Sequence, residues 1–443
     1  MTIYALSSGP GISGIAVIRL SGNKTKIIIS SITKGKFPKE RMSTLKKLIN
    51  PTTNELIDES IVIWFKGPNS YTGEDMAELQ VHGSKAVVQE ILNVLERFDD
   101  CRLAEPGEFT KLAFQNNKIN LLKAESIGDL IAAETELQRK QALKVMSGNS
   151  SKKFNLWREK LIKFLADIEA KIDFPEEDIP KNISIKIKTE CEKIKNEIKT
   201  ALEDNKAGEI IREGFKIAII GPPNVGKSSL INYFSKREVA IVSEKAGTTR
   251  DVIETYLDLE GIPVIISDTA GIRSSSDEIE AKGVNLAIKK AEDADLTIIL
   301  LDPKKLDFKG FFNEKLQEKS ILVINKSDLG IENINSSNFK ITPLFISIKD
   351  DNNIDKLIRV IKSKLKKEFL KTDNILITRS RHRLHLKECY KHLKNFIDKK
   401  DNHEFDLAAE DLRLSIRHLG TIVGKVDVEE ILGSIFENFC IGK

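Results

Sequence analysis

The sequence predicts a multidomain protein that combines an N-terminal α+β domain, a central helical domain and an inserted α/β domain. Three observations support this prediction. The chain has 443 residues, which is more than one ordinary domain. The hydrophobic period changes from strand-like to helical and back along the chain. The pattern G-x-x-x-x-G-K-S follows an apolar strand near the middle of the sequence.

The N-terminal region, residues 1–118, mixes short apolar runs with turn signals. Strands are predicted at Ile12 to Leu20, Ser60 to Phe65 and Glu78 to His82. A helix is predicted from Lys85 to Phe98, because its apolar residues fall on one face. These elements predict a small α+β domain.

Two helical regions, 119–212 and 371–443, flank the α/β region and are predicted to form one domain. The first stripe consists of Leu156, Leu161, Phe164, Leu165, Ile168 and Ile172, the second of Ile183, Ile187, Ile194, Ile198 and Leu202. After Asn374 a third stripe contains Leu384, Leu386, Tyr390, Leu393 and Phe396, and helical periodicity returns from Leu407 to Phe436. We expect these helices to pack together.

The region 213–370 alternates strands with helices, which predicts a parallel sheet with helical crossovers. The predicted strands are Phe215–Ile220, Val264–Ser267, Leu296–Leu301, Ile321–Ile324 and Leu344–Ile348. Compact domains tend to have neighbouring termini and tolerate insertion. The sequence therefore predicts that this α/β domain is inserted into the helical one.

Composition limits the class of protein. The net charge is +4, from 70 basic and 66 acidic residues, so any nucleic-acid site must be a local patch. The four cysteines form no disulfide or zinc pattern, which fits a reducing compartment. The N-terminus does not resemble a signal peptide, and no apolar run is long enough to span a membrane. We expect a cytoplasmic protein without membrane association.

The segment Gly221 to Ser228 predicts a phosphate site. Backbone N–H groups of such a loop surround the phosphates, while Lys227 brings charge to the β- and γ-phosphates and Ser228 offers a hydroxyl to Mg²⁺. Further predicted contacts are Asn224, Val225 and Gly226 in this segment and Ser229 directly after it.

Two later motifs indicate GTP. Asp268-Thr269-Ala270-Gly271 ends a strand, where its carboxylate suits the Mg²⁺ shell and its glycine N–H the γ-phosphate. Asn325-Lys326-Ser327-Asp328 ends a later strand, and a carboxylate there accepts hydrogen bonds that guanine donates and adenine cannot. Ser347 and Lys349 are predicted to close over the base. With Thr249 as a second Mg²⁺ ligand, the region is predicted to be a Ras-like P-loop GTPase domain.

The hydrolytic group is less obvious, because Ile272 occupies the position where many GTPases place a water-orienting Gln. The candidates in the following segment are Arg273, Asp277, Glu278 and Glu280. The side-chain carbonyl of Asn224 suits a monovalent cation near the β- and γ-phosphates. We therefore expect K⁺, and not Na⁺, to accelerate hydrolysis.

Motifs along the whole chain resemble those of the MnmE (TrmE) family of tRNA-modification GTPases. They are Tyr71-Thr72-Gly73-Glu74-Asp75, Glu78-Leu79-Gln80-Val81-His82-Gly83, Ala104-Glu105-Pro106-Gly107-Glu108-Phe109, Asn117-Lys118-Ile119-Asn120, Asp173-Phe174-Pro175-Glu176-Glu177, the GTPase motifs and Phe439-Cys440-Ile441-Gly442-Lys443. These motifs follow the family order, and the C-terminal Cys-Ile-Gly-Lys is highly specific.

The resemblance implies a homodimer, joined through N-terminal domains that bind 5-formyl- or methylene-tetrahydrofolate. The implied folate contacts are Arg19, Glu78, Lys118 and Lys443, and the implied K⁺ ligands are Asn224, Ser243, Lys245 and Thr248. Ser243 and Thr248 also count among the implied GTP contacts. Glu280 corresponds to the carboxylate that organises water, and Cys440 is a candidate catalytic thiol near the folate and tRNA chemistry.

The implied reaction adds a (carboxymethyl)aminomethyl group to C5 of the wobble uridine of tRNA. The one-carbon unit comes from the folate, and K⁺-dependent approach of two GTPase domains accompanies GTP hydrolysis. The FAD-containing partner MnmG (GidA) supplies redox chemistry in a heterotetramer or larger complex. Whether ammonia or glycine is the second donor stays open.

Two alternatives belong to other functional classes. A ribosome-assembly GTPase switch shares the Asn224 and Gly247-Thr248-Thr249 features, but it leaves the N-terminal motifs and Cys440 unexplained. A nucleotide-regulated scaffold without substrate turnover predicts no affinity for reduced folates.

Overall fold

The structure is a computed structural model. It describes residues 1–173, 183–204, 206–237, 239–240, 254–268, 288–304, 306, 319–330, 334, 339, 341–369, 375–399, 405–426, 432, 435–436 and 439–442. Within these residues, no helix is both long enough and apolar enough to cross a membrane. The chain forms two compact units: residues 1–128, 145–191 and 391–443 form the first, and residues 129–144 and 192–390 form the second. The domain boundaries proposed from the sequence stay predictions.

The first unit contains a six-stranded sheet of order β3-β4-β5-β2-β1-β6, with all pairs antiparallel except β1 with β6. The strands are β1 (Thr2–Leu6), β2 (Ser13–Ser21), β3 (Thr44–Ile49), β4 (Leu56–Phe65), β5 (Met76–Gly83) and β6 (Cys101–Leu103). The helices among them are α1 (Thr25–Ile32), α2 (Lys85–Glu96) and α3 (Glu108–Gln115).

Alternation along β2 sets which face of this sheet is buried. Ala16, Ile18 and Leu20 are buried and belong to a core that also includes apolar residues of α1 and α2. The Ser84 side chain accepts the Val87 N–H and so caps α2. The three strands and the helix predicted in this region are therefore confirmed, with ends shifted by a few residues.

The remaining helices are α4 (Leu121–Ile131), α5 (Glu136–Met146), α6 (Asn149–Asp173), α7 (Ile183–Leu202), α8 (Ala207–Glu213), α9 (Lys227–Arg237), α10 (Ile354–Phe369), α11 (Ser380–Asp398) and α12 (Phe405–Val423). In the first unit, α6 packs along α12. Two stripe assignments were wrong, because Leu156 is 47% exposed and Leu384 is 58% exposed. The buried face of α6 instead carries Phe154 and Trp157, which fit the helical period of Leu161.

The second unit contains a seven-stranded sheet of order β13-β12-β11-β7-β10-β9-β8. Its strands are β7 (Phe215–Ile220), β8 (Val239–Ala240), β9 (Glu254–Leu259), β10 (Ile262–Asp268), β11 (Leu296–Leu301), β12 (Ser320–Ile324) and β13 (Leu344–Phe345). Along β7, Ile217 and Ile219 face one core, whereas Ala218 and Ile220 face another. Burial on both faces explains why the strand is apolar from Ile217 to Ile220, whereas Lys216 near its start is exposed.

The prediction of a parallel sheet with helical crossovers was incomplete. Strands β7, β10, β11, β12 and β13 are parallel, but β9 runs antiparallel to β10 and β8 runs antiparallel to β9. The antiparallel pairing of β9 with β10 follows from the short connection between them. Only the Glu260-Gly261 turn separates the two strands, and so short a turn can join antiparallel strands but not parallel ones. The carboxyl ends of the parallel strands meet at one edge of this sheet, where the sequence motifs lie.

Candidate functional site

The segment Gly221 to Ser228, here called the phosphate loop, begins where β7 ends and leads directly into α9. Gly221 has φ +151°, and a Cβ there would lie 2.1 Å from the Leu300 carbonyl oxygen, so a side chain does not fit. Lys227 starts α9 and is 8% exposed. Its ammonium donates to the carbonyls of Gly221 and Pro222, at 2.8 Å each. The loop therefore places positive charge beside backbone N–H groups at a helix N-terminus, which suits phosphate.

Asn224 adopts a left-handed backbone with φ +66° at the exposed tip of this loop. Its carbonyl oxygen accepts a hydrogen bond from the Lys326 ammonium at 2.8 Å. Val225 is buried beneath the loop, and Ser228 and Ser229 are exposed in the first turn of α9. The predicted loop residues therefore differ in exposure: Asn224, Ser228 and Ser229 are open to solvent, whereas Val225 is buried.

The motif Asn325 to Asp328, here called the base motif, follows β12 and is hydrogen-bonded to the phosphate loop. Asn325 is 3% exposed, and its side-chain N–H donates to the Val225 carbonyl at 2.8 Å. Its side-chain oxygen accepts the Ile348 N–H at 3.2 Å. Asp328 lies in an exposed 3₁₀ turn. One of its oxygens accepts the Ser347 hydroxyl at 2.8 Å, and this bond orients the carboxylate.

Asp302 is a residue of this site that the sequence reasoning missed. It follows the last residue of β11 and accepts a hydrogen bond from the Lys326 ammonium at 2.7 Å. Burial raises the pKa of this carboxyl, but the bonds from Lys326 and from the Lys304 N–H outweigh burial, and the pKa ends below its usual range. The available signal was an acidic residue directly after the four consecutive apolar residues that end β11.

Several predicted residues lie outside the described part of the chain. They are Ser243, Lys245, Thr248, Thr249, Thr269, Ala270, Gly271, Glu280 and Lys443. Asp268 ends β10, where its backbone pairs with Ile219 of β7. Lys349 is exposed in the turn after Ser347. The described residues therefore hold the loop and the base motif, and the other assignments stay predictions.

The first unit holds a second candidate site, around Arg19 on β2 and Glu78 on β5. These residues are direct cross-strand partners, and Arg19 Nη2 lies 2.8 Å from Glu78 Oε1. The guanidinium also stands 5.8 Å from the Tyr71 ring centroid and 5.6 Å from that of Phe109. Sequence reasoning selected both charged residues but did not predict that they pair with each other.

The C-terminal segment reaches this pair. The Gly442 carbonyl accepts hydrogen bonds from the Ser7 hydroxyl at 2.8 Å and from Arg19 Nη1 at 3.3 Å. Cys440 is exposed, and its carbonyl accepts the Gly107 N–H at 3.4 Å. Lys118 is exposed in the turn after α3.

Comparison with known proteins decides the family. Residues 2–118 match the family model described as GTP-binding protein TrmE N-terminus, and residues 121–440 match the MnmE helical domain. The chain is 59% identical over 443 residues to the tRNA modification GTPase MnmE of Pelagibacter ubique (strain HTCC1062), with 100% of each chain covered. The chain belongs to the MnmE family.

Other relatives agree with this assignment. The chain is 45% identical over 449 residues to the tRNA modification GTPase MnmE of Rickettsia akari (strain Hartford), again with 100% of each chain covered. Among solved structures, the G domain of the T. maritima FeoB iron transporter covers 35% of this chain and 98% of its own, at 25% identity and a TM-score of 0.26, which is too low to support an argument.

Membership in the MnmE family fixes the activity. The protein is a GTPase of tRNA modification, and it binds GTP with Mg²⁺. The ribosome-assembly switch, which the GTPase motifs alone allowed, is therefore not retained.

Proposed function

We propose that residues 224–229 and the motif Asn325 to Asp328 form the GTP site. The observation that carries this proposal is the direct bonding of the two motifs, through Asn325 to Val225 and through Lys326 to Asn224. Lys227 then neutralises the β- and γ-phosphates, and Ser228 with Thr249 ligates Mg²⁺. Further GTP contacts come from Ser243, Thr248, Asp268, Thr269, Ala270 and Gly271, as the sequence predicts.

Guanine selectivity is assigned to Asp328. Its carboxylate accepts the Ser347 hydroxyl, which leaves acceptor capacity for guanine N1–H and N2–H₂. Because adenine offers neither donor in this arrangement, ATP leaves a carboxylate without its hydrogen bonds. Ser347 and Lys349 flank the base.

Hydrolysis is proposed to depend on K⁺ and on Glu280. Asn224 stands at the exposed tip of the loop, so its side-chain oxygen suits a monovalent cation beside the β- and γ-phosphates. Ser243, Lys245 and Thr248 complete the cation site in this proposal. Glu280 orients the attacking water, and K⁺-dependent approach of two GTPase domains forms the active state.

The N-terminal unit is proposed to bind a reduced folate, which supplies the one-carbon unit. Its chemistry fits, because the site offers a carboxylate for the amino and ring N–H groups of a pterin and cations for a glutamate tail. Glu78 is the carboxylate, and the cations are Arg19, Lys118 and Lys443. The ion pair between Arg19 and Glu78 fixes both side chains across β2 and β5.

The complete reaction is proposed to add a (carboxymethyl)aminomethyl group to C5 of the wobble uridine. The α/β domain is inserted in the helical domain, and the N-terminal domains join two copies into a homodimer. The FAD-containing partner MnmG (GidA) completes a heterotetramer or larger assembly. Cys440 lies exposed on the C-terminal segment and is the candidate thiol of this reaction.

The experiment that tests the reaction is mass spectrometry of nucleosides from the tRNA of cells that lack the protein. We expect loss of the (carboxymethyl)aminomethyl uridines, and restoration by the intact gene but not by Lys227→Ala. Restoration by Cys440→Ser removes the thiol from the mechanism and leaves the modification role intact. An unchanged nucleoside profile in the deletion strain overturns the proposed reaction.

Equilibrium titration with 5-formyl-tetrahydrofolate tests the folate site. Arg19→Met is expected to lower the affinity of the full-length protein about tenfold, because it removes one charge-assisted contact. Arg413→Met is the matched control, since Arg413 pairs with Glu169 on the helical surface at 2.8 Å. Absence of binding to the wild-type protein refutes the folate assignment and favours the scaffold alternative for this unit.

A further inference from the structure

Asp302 is held by two bonds at the carboxyl end of β11. One oxygen accepts the Lys304 N–H at 2.9 Å, and the other accepts the Lys326 ammonium at 2.7 Å. Asp302 is 8% exposed. Both oxygens therefore have fixed directions, and the carboxylate faces the lysine of the base motif.

Lys326 in turn connects three segments. Its backbone is left-handed, with φ +61°, directly after Asn325 and the end of β12. Its ammonium donates both to Asp302 and to the Asn224 carbonyl of the phosphate loop. An ammonium offers three N–H donors on a flexible stem, so its position depends on its acceptors. Asp302 is the charged acceptor of the two.

We propose that Asp302 is a positioning residue for the nucleotide: through Lys326 it holds the Asn224 carbonyl and keeps the phosphate loop aligned with the base motif. In the described part of the chain, Asp302 contacts the base motif only at Lys326, and its other hydrogen bond is to the Lys304 N–H of its own turn. Prior alignment of the two motifs removes an ordering cost from GTP binding. The inference rests on the proposed assignment of the loop and base motif to GTP.

Simple electrostatics gives the opposite expectation. Asp302 is a negative charge close to a loop that binds phosphates, and its removal should by Coulomb interaction alone strengthen the binding of an anionic nucleotide. If the positioning effect is larger, removal weakens binding. The sign of the change therefore separates the two effects.

Asp302→Asn is the primary variant, because the amide oxygen can still accept the Lys304 N–H while the charge facing Lys326 is lost. We expect fluorescent GDP to leave the full-length protein about tenfold faster, since one charge-assisted bond is removed. The KM for GTP should rise by a similar factor, whereas kcat at saturating GTP should change less than about twofold. Asp302→Ser is the second variant, and a serine hydroxyl also accepts such a turn N–H.

A double-mutant cycle with Lys326→Met tests whether Asp302 acts through this lysine. We expect Asp302→Asn to have no further effect on GDP release in the Lys326→Met background. A merely structural role instead gives additive effects in the two backgrounds. Glu260→Gln is the matched control, because Glu260 pairs with Lys362 and Lys366 elsewhere in the same unit, and its release rate should equal that of the wild type.

Three results overturn the proposal: unchanged release in both Asp302 variants, slower release, or additivity with Lys326→Met. The variant Lys227→Ala tests separately whether the phosphate loop and the base motif bind GTP at all. If that variant binds GTP as well as the wild type does, the loop is not the phosphate site. If Lys227→Ala loses GTP but Asp302→Asn behaves as wild type, only the positioning role is refuted.

Discussion

Asn325 donates a side-chain hydrogen bond to the Val225 carbonyl, although one hundred positions separate them in the sequence. The same amide lies so close to the phosphate loop that a Cβ on Gly226 would stand 2.5 Å from its nitrogen. The asparagine of the base motif therefore disfavours any side chain at Gly226 of the loop. Neither motif shows this dependence when it is read alone.

Asn325→Ala is predicted to weaken GTP binding and to destabilise the protein. The change leaves the buried Val225 carbonyl and Ile348 N–H without their partner, at a cost of about 1–3 kcal/mol. GDP affinity, measured by equilibrium titration, should fall about tenfold or more. Asn352→Ala is the control, because Asn352 is exposed and bonds Ser347 only through its backbone. Wild-type affinity in Asn325→Ala would contradict the structural link.

Asp328→Asn is predicted to change base preference from GTP to XTP. The amide nitrogen offers a donor where guanine also presents donors, whereas xanthine presents a carbonyl oxygen at the position of the guanine amino group. Affinity for GTP should fall about 100-fold, and competition experiments should show that XTP now binds more tightly. Asp350→Asn is a matched control in the neighbouring turn. Retained preference for GTP in Asp328→Asn would remove Asp328 from the base site.

Strong periodicity made most elements of the fold predictable. Strands β7, β11 and β12 carry long apolar runs that lie buried on both faces, and their predicted bounds agree with the structure within one residue. Strand β9 is as long as β7 and β11, but it was missed because its residues Thr255 to Asp258 form no continuous apolar run. The Glu260-Gly261 turn places β9 beside β10, and this pairing is seen only in the folded sheet.

Side-chain partners at the candidate sites were harder to predict than the elements. Arg19 and Glu78 are far apart in sequence, and their pairing follows from the register of β2 with β5. Lys326 was predicted to contact the nucleotide, but its bond to Asp302 depends on the neighbouring positions of β11 and β12. Sequence patterns therefore selected Arg19, Glu78 and Lys326 but missed Asp302, and strand register decided which of these charged residues meet.

Thiol reagents should modify one cysteine of the native protein rapidly at pH 8. Burial raises the pKa of Cys101 to about 11 and that of Cys191 to about 12, and Cys389 is fully buried. Only about 0.1% of a thiol with a pKa near 11 is thiolate at pH 8, and the thiolate is the reactive form. The exposed Cys440 is the remaining cysteine.

We therefore expect one fast thiol in a reaction with an aromatic disulfide reagent, and none in Cys440→Ser. Reaction in denaturant should reveal all four cysteines of the wild type. Raising the pH increases the thiolate fraction of the buried groups, so slower phases should accelerate from pH 8 to pH 10. A fast phase that survives Cys440→Ser would show that another cysteine is accessible.

The role of Asn224 can be separated from that of its backbone. Its φ of +66° is a conformation that glycine adopts readily and alanine does not, at a penalty of about 1–2 kcal/mol. Asn224→Gly and Asn224→Ala both remove the side-chain carbonyl, but only the alanine variant strains the loop. If the carbonyl ligates K⁺, both variants should hydrolyse GTP at about the same rate in K⁺ and in Na⁺.

The comparison of the two variants decides which property of Asn224 matters. GTP hydrolysis is measured at equal ionic strength in KCl and in NaCl, with GDP affinity recorded in parallel. The alanine variant should lose more GDP affinity than the glycine variant, because its strained loop also displaces the carbonyl that Lys326 holds. The K⁺ to Na⁺ rate ratio should fall equally in both. If the ratio stays at its wild-type value in Asn224→Gly, the side chain is not a cation ligand, and the αL backbone alone explains an asparagine at this position.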